Sequence, residues 1–305
     1  MSIIDEAIKS LDLGYEIEYS TVSLIDENFI CLQEDFLKFL EKRKKDGKIS
    51  PLESSDIEKR AFPQKILQDA KTVITFLFPY MTSFHKDGNL SYYCMGLDYH
   101  LGVKNSLDRI VKYIGQYHKD AKFYIQSDIG ELDEKFFAYN SGLGILGLNS
   151  LIISPVYGSY VNIGVIVTDL EFKPKIAEKK ICDMCMKCQN SCPGKAINGD
   201  FTIESQKCAS YITQKKGELS KDEIEILKKS GKIFGCDICQ KVCHFNKNVK
   251  KISSTYDIIN SIEKDDLQIS NKEFKLKYGD RAFSFRGKSV LSRNIDLINI
   301  GEEIE

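Results

Sequence analysis

A surplus of positive charge, a long apolar run and an amino-terminal leader are all missing from this sequence, and each absence closes a class of function. Lys and Arg number 43 against 44 Asp and Glu, a net charge of −1. That balance argues against broad nonspecific adhesion to nucleic acid. No apolar run is long enough to cross a bilayer, and no basic-then-apolar stretch with a small-residue cleavage site opens the chain. A cytoplasmic protein without membrane contact is the expectation. No G-x-G-x-x-G follows an early strand pattern, which excludes a dinucleotide-binding Rossmann unit. The GLGILG at 142–147 comes after a helix and before a strand. It reads as a tight turn that lets something flat approach the main chain. Repeats of solenoid period and low-complexity stretches are also lacking.

What is present begins with enough apolar sequence, 42% against 29% charged, to bury a core without cross-links. In a reducing compartment ten cysteines point to metal or redox chemistry instead of disulfides. Eight of them lie between Cys182 and Cys243; Cys31 and Cys94 stand apart and read as small buried hydrophobes. Cys182, Cys185, Cys188 and Cys192 are spaced C-x2-C-x2-C-x3-C with Pro193 directly after. In this ferredoxin run three thiolates hold one cubane cluster and the fourth turns away to another. Cys236, Cys239 and Cys243 form a second group, with Cys208 upstream as its missing partner. The expectation is two 4Fe-4S clusters, one held by Cys182, Cys185, Cys188 and Cys243, the other by Cys208, Cys236, Cys239 and Cys192. Structural zinc also uses paired C-x2-C motifs, but has no use for the third cysteine or the fourth before proline.

Residues 34–48 place Phe36, Phe39 and Leu40 at helical spacing before Gly47, and 105–118 put Leu107, Ile110, Val111 and Ile114 on one helical face. KTVITFLFPY at 71–80 reads as a buried strand, 122–128 as another, 132–140 as a short helix and 149–170 as two more strands. This alternation predicts an α/β layered domain over roughly the first 170 residues, with the charged segment 171–180 as a linker. Asp128 falls at a predicted strand end. There it is either a turn residue or an acid whose pKa partial burial would raise. Between Lys241 and Arg293, twelve Lys or Arg face six Asp or Glu, either a patch for phosphates or a solvated surface.

Several stretches occur in the order seen in one family. They are KRAFPQKILQDAKTVITFLFPY, YYCMGLDYH, the DIGELDEK stretch running into SGLGILGLNSLIISPVYGSY, the first cysteine run, CASYIT, FGCDICQKVCHFNK and RGKSVLSRN. From about Arg60 to Asn294 the chain resembles epoxyqueuosine reductase, a cobalamin-dependent iron–sulfur enzyme of queuosine biosynthesis. The resemblance implies an α/β (α+β) fold, a nitroreductase-like domain carrying base-off cobalamin beside a ferredoxin-like module with two 4Fe-4S clusters. It implies a cobalamin-binding domain over 1–175, the cluster domain over 176–250 and a tail over 251–305 packing on the core, in a short form without the carboxy-terminal HEAT repeats. Asp128 takes the place of the catalytic acid above the cobalt. Arg60, Ser210 and Asp237 fall at corrinoid contacts, and Cys236 adds a backbone contact to its cluster ligation. Tyr99 and His100 match the cavity wall, although a histidine serves equally as a hydrogen-bonded structural residue. The implied reaction reduces epoxyqueuosine to queuosine in tRNA, fed by an external electron donor such as a flavodoxin or ferredoxin. Departures from the family are Leu148 for a lysine, Met95 and Leu97 for basic residues, Lys135 for arginine and Glu131 for proline. Two alternatives stay open: a cobalamin-dependent iron–sulfur reductase of another small, dehalogenase-type substrate, and an electron-transfer protein without catalysis.

Overall fold

In the computed structural model, which describes residues 2–253 and 256–299, the apolar run at 71–80 forms the central strand of an antiparallel sheet. Strands β1 (Glu18–Ser23), β2 (Thr72–Pro79), β3 (Phe123–Gln126) and β6 (Val161–Thr168) lie in the order β1-β2-β6-β3, every pair antiparallel. The mixed fold is as expected, with a four-stranded sheet that is antiparallel throughout. All eight β2 residues are buried because alternate side chains point to opposite, equally covered faces. Ile74, Phe76 and Phe78 pack with the helices Ile3–Lys9 and Tyr99–Tyr117 through Val103, Leu107, Ile110 and Ile114. Val73 packs on the other side with Phe29, Phe136 and Phe137 from the helices Glu27–Lys45 and Glu134–Asn140.

Two helices start earlier than their apolar periodicity predicts, because an aspartate caps each. Asp26 accepts from the Phe29 N–H at 3.0 Å, and Asp98 from the His100 N–H at 3.0 Å. The second cap brings the YYCMGLDYH motif to the end of the layered domain.

A small sheet joins that domain to the cysteines. β4 (Ile145–Leu146) pairs antiparallel with β5 (Ile152–Ile153) and parallel with β7 (Lys180–Ile181). The segment 171–180 is therefore not a free linker. Lys175 exchanges backbone hydrogen bonds with Thr21 on edge strand β1, and the Thr21 hydroxyl donates to the Lys173 carbonyl at 2.8 Å. Nor does GLGILG await a flat ligand. A Cβ at Gly142, where φ is +68°, would sit 2.2 Å from the Ala177 carbonyl oxygen, and one at Gly144 2.6 Å from Ile152. The partners that come close are the chain's own Ala177 backbone and Ile152 side chain.

The cysteine-rich region docks on the start of β6, where the Asn246 Oδ1 accepts from the Ser159 N–H at 2.8 Å and Gln240 Nε2 donates to the Ser159 carbonyl at 2.9 Å. Residues beyond 256 close a further core. Leu267, Phe274, Tyr278, Phe283, Leu291 and Ile295 pack with Leu90, Cys94 and Met95 from the layered domain and with Ile233 and Phe234 from the cysteine region. In the helix Lys288–Asn299, fully buried Asn294 donates to the carbonyls of Thr213 and Ile233, both at 2.8 Å. Residues 254, 255 and 300–305 of the expected tail lie outside the described residues. No described helix is long and apolar enough to cross a membrane.

Candidate functional site

None of the ten cysteines is in a disulfide, and eight of them gather into two groups. Cys182, Cys185, Cys188 and Cys243 line one cavity, with Leu148, His244 and Phe245 around them. Charge coupling sorts the set in the same way. Burial first, then Cys182 and Cys243 among its neighbours, pushes the Cys188 thiol up; burial, then Cys185 and Cys182, does so for Cys243. The remaining four couple to one another. Burial pushes Cys236 up to about 12 with Cys208 and Cys192 adding to it, and Cys239 is raised by burial, then by Cys236, Cys208 and Cys192. Thiols so crowded resist ionisation unless a cation balances them, the condition that an iron–sulfur cluster meets. The first group is open, with Cys185 exposed; in the second, Cys192 is buried against Leu148, Ala196 and Ile197. Of the isolated cysteines, Cys94 is buried as expected but Cys31 is exposed.

Asp128 stands in a loop between β3 and the helix Glu134–Asn140, with φ at +60°. Its side chain is 59% exposed. The Tyr99 hydroxyl donates to Oδ2, and His100 Nε2 lies 3.1 Å from the same oxygen. His100 Nδ1 is 2.6 Å from Asp98 Oδ1, so the imidazole lies between two carboxylates, stacked on Tyr99 at 4.0 Å. The sequence expectation that burial would raise the Asp128 pKa fails on these contacts. Crowding by protein does push its carboxyl up, but the hydrogen bonds from His100 and Tyr99 outweigh that and hold it below the usual carboxylate value. Burial likewise works against a charge on His100, yet its bonds to Asp128 and Asp98 prevail and raise it to about 9. At neutral pH the proton of this group rests on the imidazole.

Tyr93, which lies in the YYCMGLDYH stretch but is not among its expected site residues, links this end to the second cysteine group. Its ring packs edge-on against Tyr99 with centroids 5.8 Å apart, and Ser210, two residues after Cys208, approaches its hydroxyl closely enough to favour the ionised form. A Cβ at Gly235, beside Cys236, would meet the Tyr93 ring at 2.7 Å. Asp128, Tyr99, His100, Ser210 and Cys236 thus share one neighbourhood.

The side chains of Arg60 and Asp237 are engaged within the protein. Arg60 is buried and pairs with Glu53 at 2.8 Å and Asp133 at 2.5 Å. The fully buried Asp237 accepts from the Ser91 hydroxyl at 2.6 Å and the Tyr92 N–H at 3.0 Å, with Lys232 Nζ 3.6 Å away. Two departures from the family motif also face inward. Leu148 is buried beside Cys192, and Met95 is fully buried in the core that the tail completes. Lys135 Nζ reaches the Ser150 hydroxyl at 3.4 Å and helps lower the Asp128 pKa.

The basic stretch is largely engaged with the protein itself. Lys241, Lys250, Lys264 and Lys277 pair with Asp87, Glu16, Asp296 and Asp266. Arg281, Lys288 and Arg293 donate to the backbone carbonyls of Asp257, Ile269 and Gly217.

Comparison with known proteins gives two family matches. Residues 181–246 match the 4Fe-4S double cluster binding domain, and residues 60–128 match epoxyqueuosine reductase QueG, DUF1730. Over 262 residues the chain is 32% identical to the epoxyqueuosine reductase of Bacillus subtilis (strain 168), covering 81% of this chain and 67% of that one. A structure of the Bacillus subtilis enzyme with its catalytic aspartate loop swung out of the active site superposes at a TM-score of 0.83, with 29% identity, over 97% of this chain and 80% of that one. A crystal structure of epoxyqueuosine reductase with an epoxyqueuosine-modified tRNA-Tyr stem loop superposes at 0.81, again with 29% identity over 97% and 80% of the two chains.

Proposed function

The chain belongs to the epoxyqueuosine reductase family, and from that premise we propose that it reduces epoxyqueuosine to queuosine in tRNA with cobalamin and electrons from two 4Fe-4S clusters. Residues 1–175 form the cobalamin-binding domain in this reading, 176–250 the cluster domain and 251–305 the tail. The observation that carries the proposal is the exposed Asp128 carboxylate, held by Tyr99 and His100 and joined through Tyr93 to the second cysteine group.

Cys182, Cys185, Cys188 and Cys243 would hold one cluster, and Cys208, Cys236, Cys239 and Cys192 the other. The first group is the open one. Around Cys185 the side chains of Ile181, Met184 and Met186 are exposed, a surface on which an external donor of the flavodoxin or ferredoxin class could dock. Electrons would then leave from the buried group beside Ser210. Cobalamin would lie against Tyr99 and Tyr93, and Ser127 next to Asp128 has a buried hydroxyl with no partner among the described residues that could reach it. When bound, cobalamin supplies a reducing power that side chains lack. Arg60 and Asp237 would contribute through what they position, since their charged groups are already engaged.

Turning the epoxide into an alkene and water consumes two electrons and two protons. The proton for the oxygen that leaves comes from His100, which holds it to about pH 9, and passes to that oxygen through the Asp128 carboxylate hydrogen-bonded to the imidazole; solvent supplies the second. For the tRNA phosphates the self-paired basic stretch leaves Lys247, Lys251, Lys272, Lys275 and Arg286. Ten cysteines with no disulfide among them suit a cytoplasmic location.

Protein reconstituted anaerobically with iron, sulfide and cobalamin should convert tRNA carrying epoxyqueuosine, and Asp128→Asn should lower turnover by roughly a hundredfold or more. Lack of conversion by the wild type under a strong reductant would overturn the proposal.

A further inference from the structure

A carboxyl one turn away from the site has a role that the reading above leaves unassigned. The loop 127–131 begins after Gln126, whose buried side chain closes its base. Gln126 Oε1 accepts from the Leu132 N–H at 2.9 Å, and Nε2 donates to the Leu132 carbonyl at 2.9 Å. Above this clamp Asp128 adopts a left-handed backbone, a conformation costing an ordinary residue roughly 1 kcal/mol or more. Something must hold it there. The Asp128 N–H donates to Glu134 Oε1 at 2.8 Å, and the same oxygen accepts from Gln126 Nε2 at 3.2 Å.

Glu134 is free for this task. The helix that it opens is capped by Asp133, which accepts from the Phe136 N–H at 3.1 Å and is itself fixed by Arg60. Among the described residues no cation lies within ion-pair distance of the Glu134 carboxyl. Its carboxyl accepts hydrogen bonds from Gln126 and Asp128.

We propose that Glu134 is a positioning residue for the reaction: its carboxyl holds the Asp128 backbone so that the Asp128 carboxylate stays on Tyr99 and His100. This rests on the reading of Asp128 as the acid. Burial, and after it the Asp128 charge, raises the Glu134 pKa to about 8, so at neutral pH the group is mainly a neutral acid that offers a carbonyl oxygen to both donors. A glutamine side chain offers the same oxygen in the same place.

The test compares Glu134→Ala and Glu134→Gln in the full chain, first by amide hydrogen exchange over 127–131 and then by steady-state turnover. In the alanine variant exchange at these amides should rise about tenfold, the size expected for one lost hydrogen bond of this kind. Its kcat should fall about as far, with KM for the tRNA unchanged. The glutamine variant should keep both protection and kcat within about threefold of wild type. Unchanged protection in the alanine variant, or a glutamine variant that behaves like alanine, would overturn the role. Because exchange is read without substrate, it decides the latch even if the tRNA activity proves to be another one.

Discussion

At the residue scale the site separates two jobs that a single acid would otherwise combine. Asp128 is exposed enough to meet a substrate, but its hydrogen bonds keep it ionised. His100 holds the proton and is wedged between Asp98 and Asp128. A folded pKa of about 9 against an unfolded value near 6.5 means that the protonated histidine's stabilisation is complete below the unfolded value and is lost as pH rises through about 9. Turnover should follow the same limb, falling above about pH 9. His100→Gln should remove that limb from the pH–rate profile and lower the plateau by roughly ten- to a hundredfold. A variant with an unaltered profile would show that the histidine only supports the fold. Both pKa directions depend on the contact between His100 and Asp128, 28 positions apart, although Asp98, two residues from His100, adds to one of them. No local pattern around Asp128 contains them.

At the element scale, the D-x-G of the family motif is a packing requirement. Gly130 has an ordinary backbone conformation, so space decides its identity: a Cβ there would sit 2.1 Å from Gln126 Oε1. That amide cannot swing aside without giving up Leu132. Gly130→Ala should therefore open the loop. Chemical denaturation should show a loss of about 1–3 kcal/mol, as for other overpacked sites, together with a drop in kcat larger than the change in KM. The glycines of GLGILG are explained likewise by the approach of residues 152 and 177. Helix starts show the converse. Apolar periodicity located the bodies of the helices Glu27–Lys45 and Tyr99–Tyr117, but their first turns carry few core residues and are set by the caps Asp26 and Asp98.

At the scale of the whole molecule, three stretches of chain meet around one pair of cysteine groups. The layered domain supplies Asp128, Tyr99 and Tyr93, and the cysteine region supplies Ser210. The tail fastens the two through Asn294 and the core around Phe283. The crossing of Cys192 into the second group has a measurable consequence. Cys192→Ser should cost the buried cluster and leave the open one, so that reconstituted protein carries about half of the wild-type iron and still accepts electrons without turning over. Loss of all iron would mean that the two groups do not load separately. The cysteine spacing, the buried strand read at 71–80 and the family motifs were legible in the sequence alone, because each depends on neighbours along the chain: thiol spacing, a continuous apolar run and turn geometry. Only the tertiary structure decided that Asp128 is ionised, that Arg60 and Asp237 face inward, that the segment 171–180 is pinned to β1 and that Glu134 holds the acid's backbone. Those outcomes depend on charge, burial and close approach between residues that the sequence keeps apart.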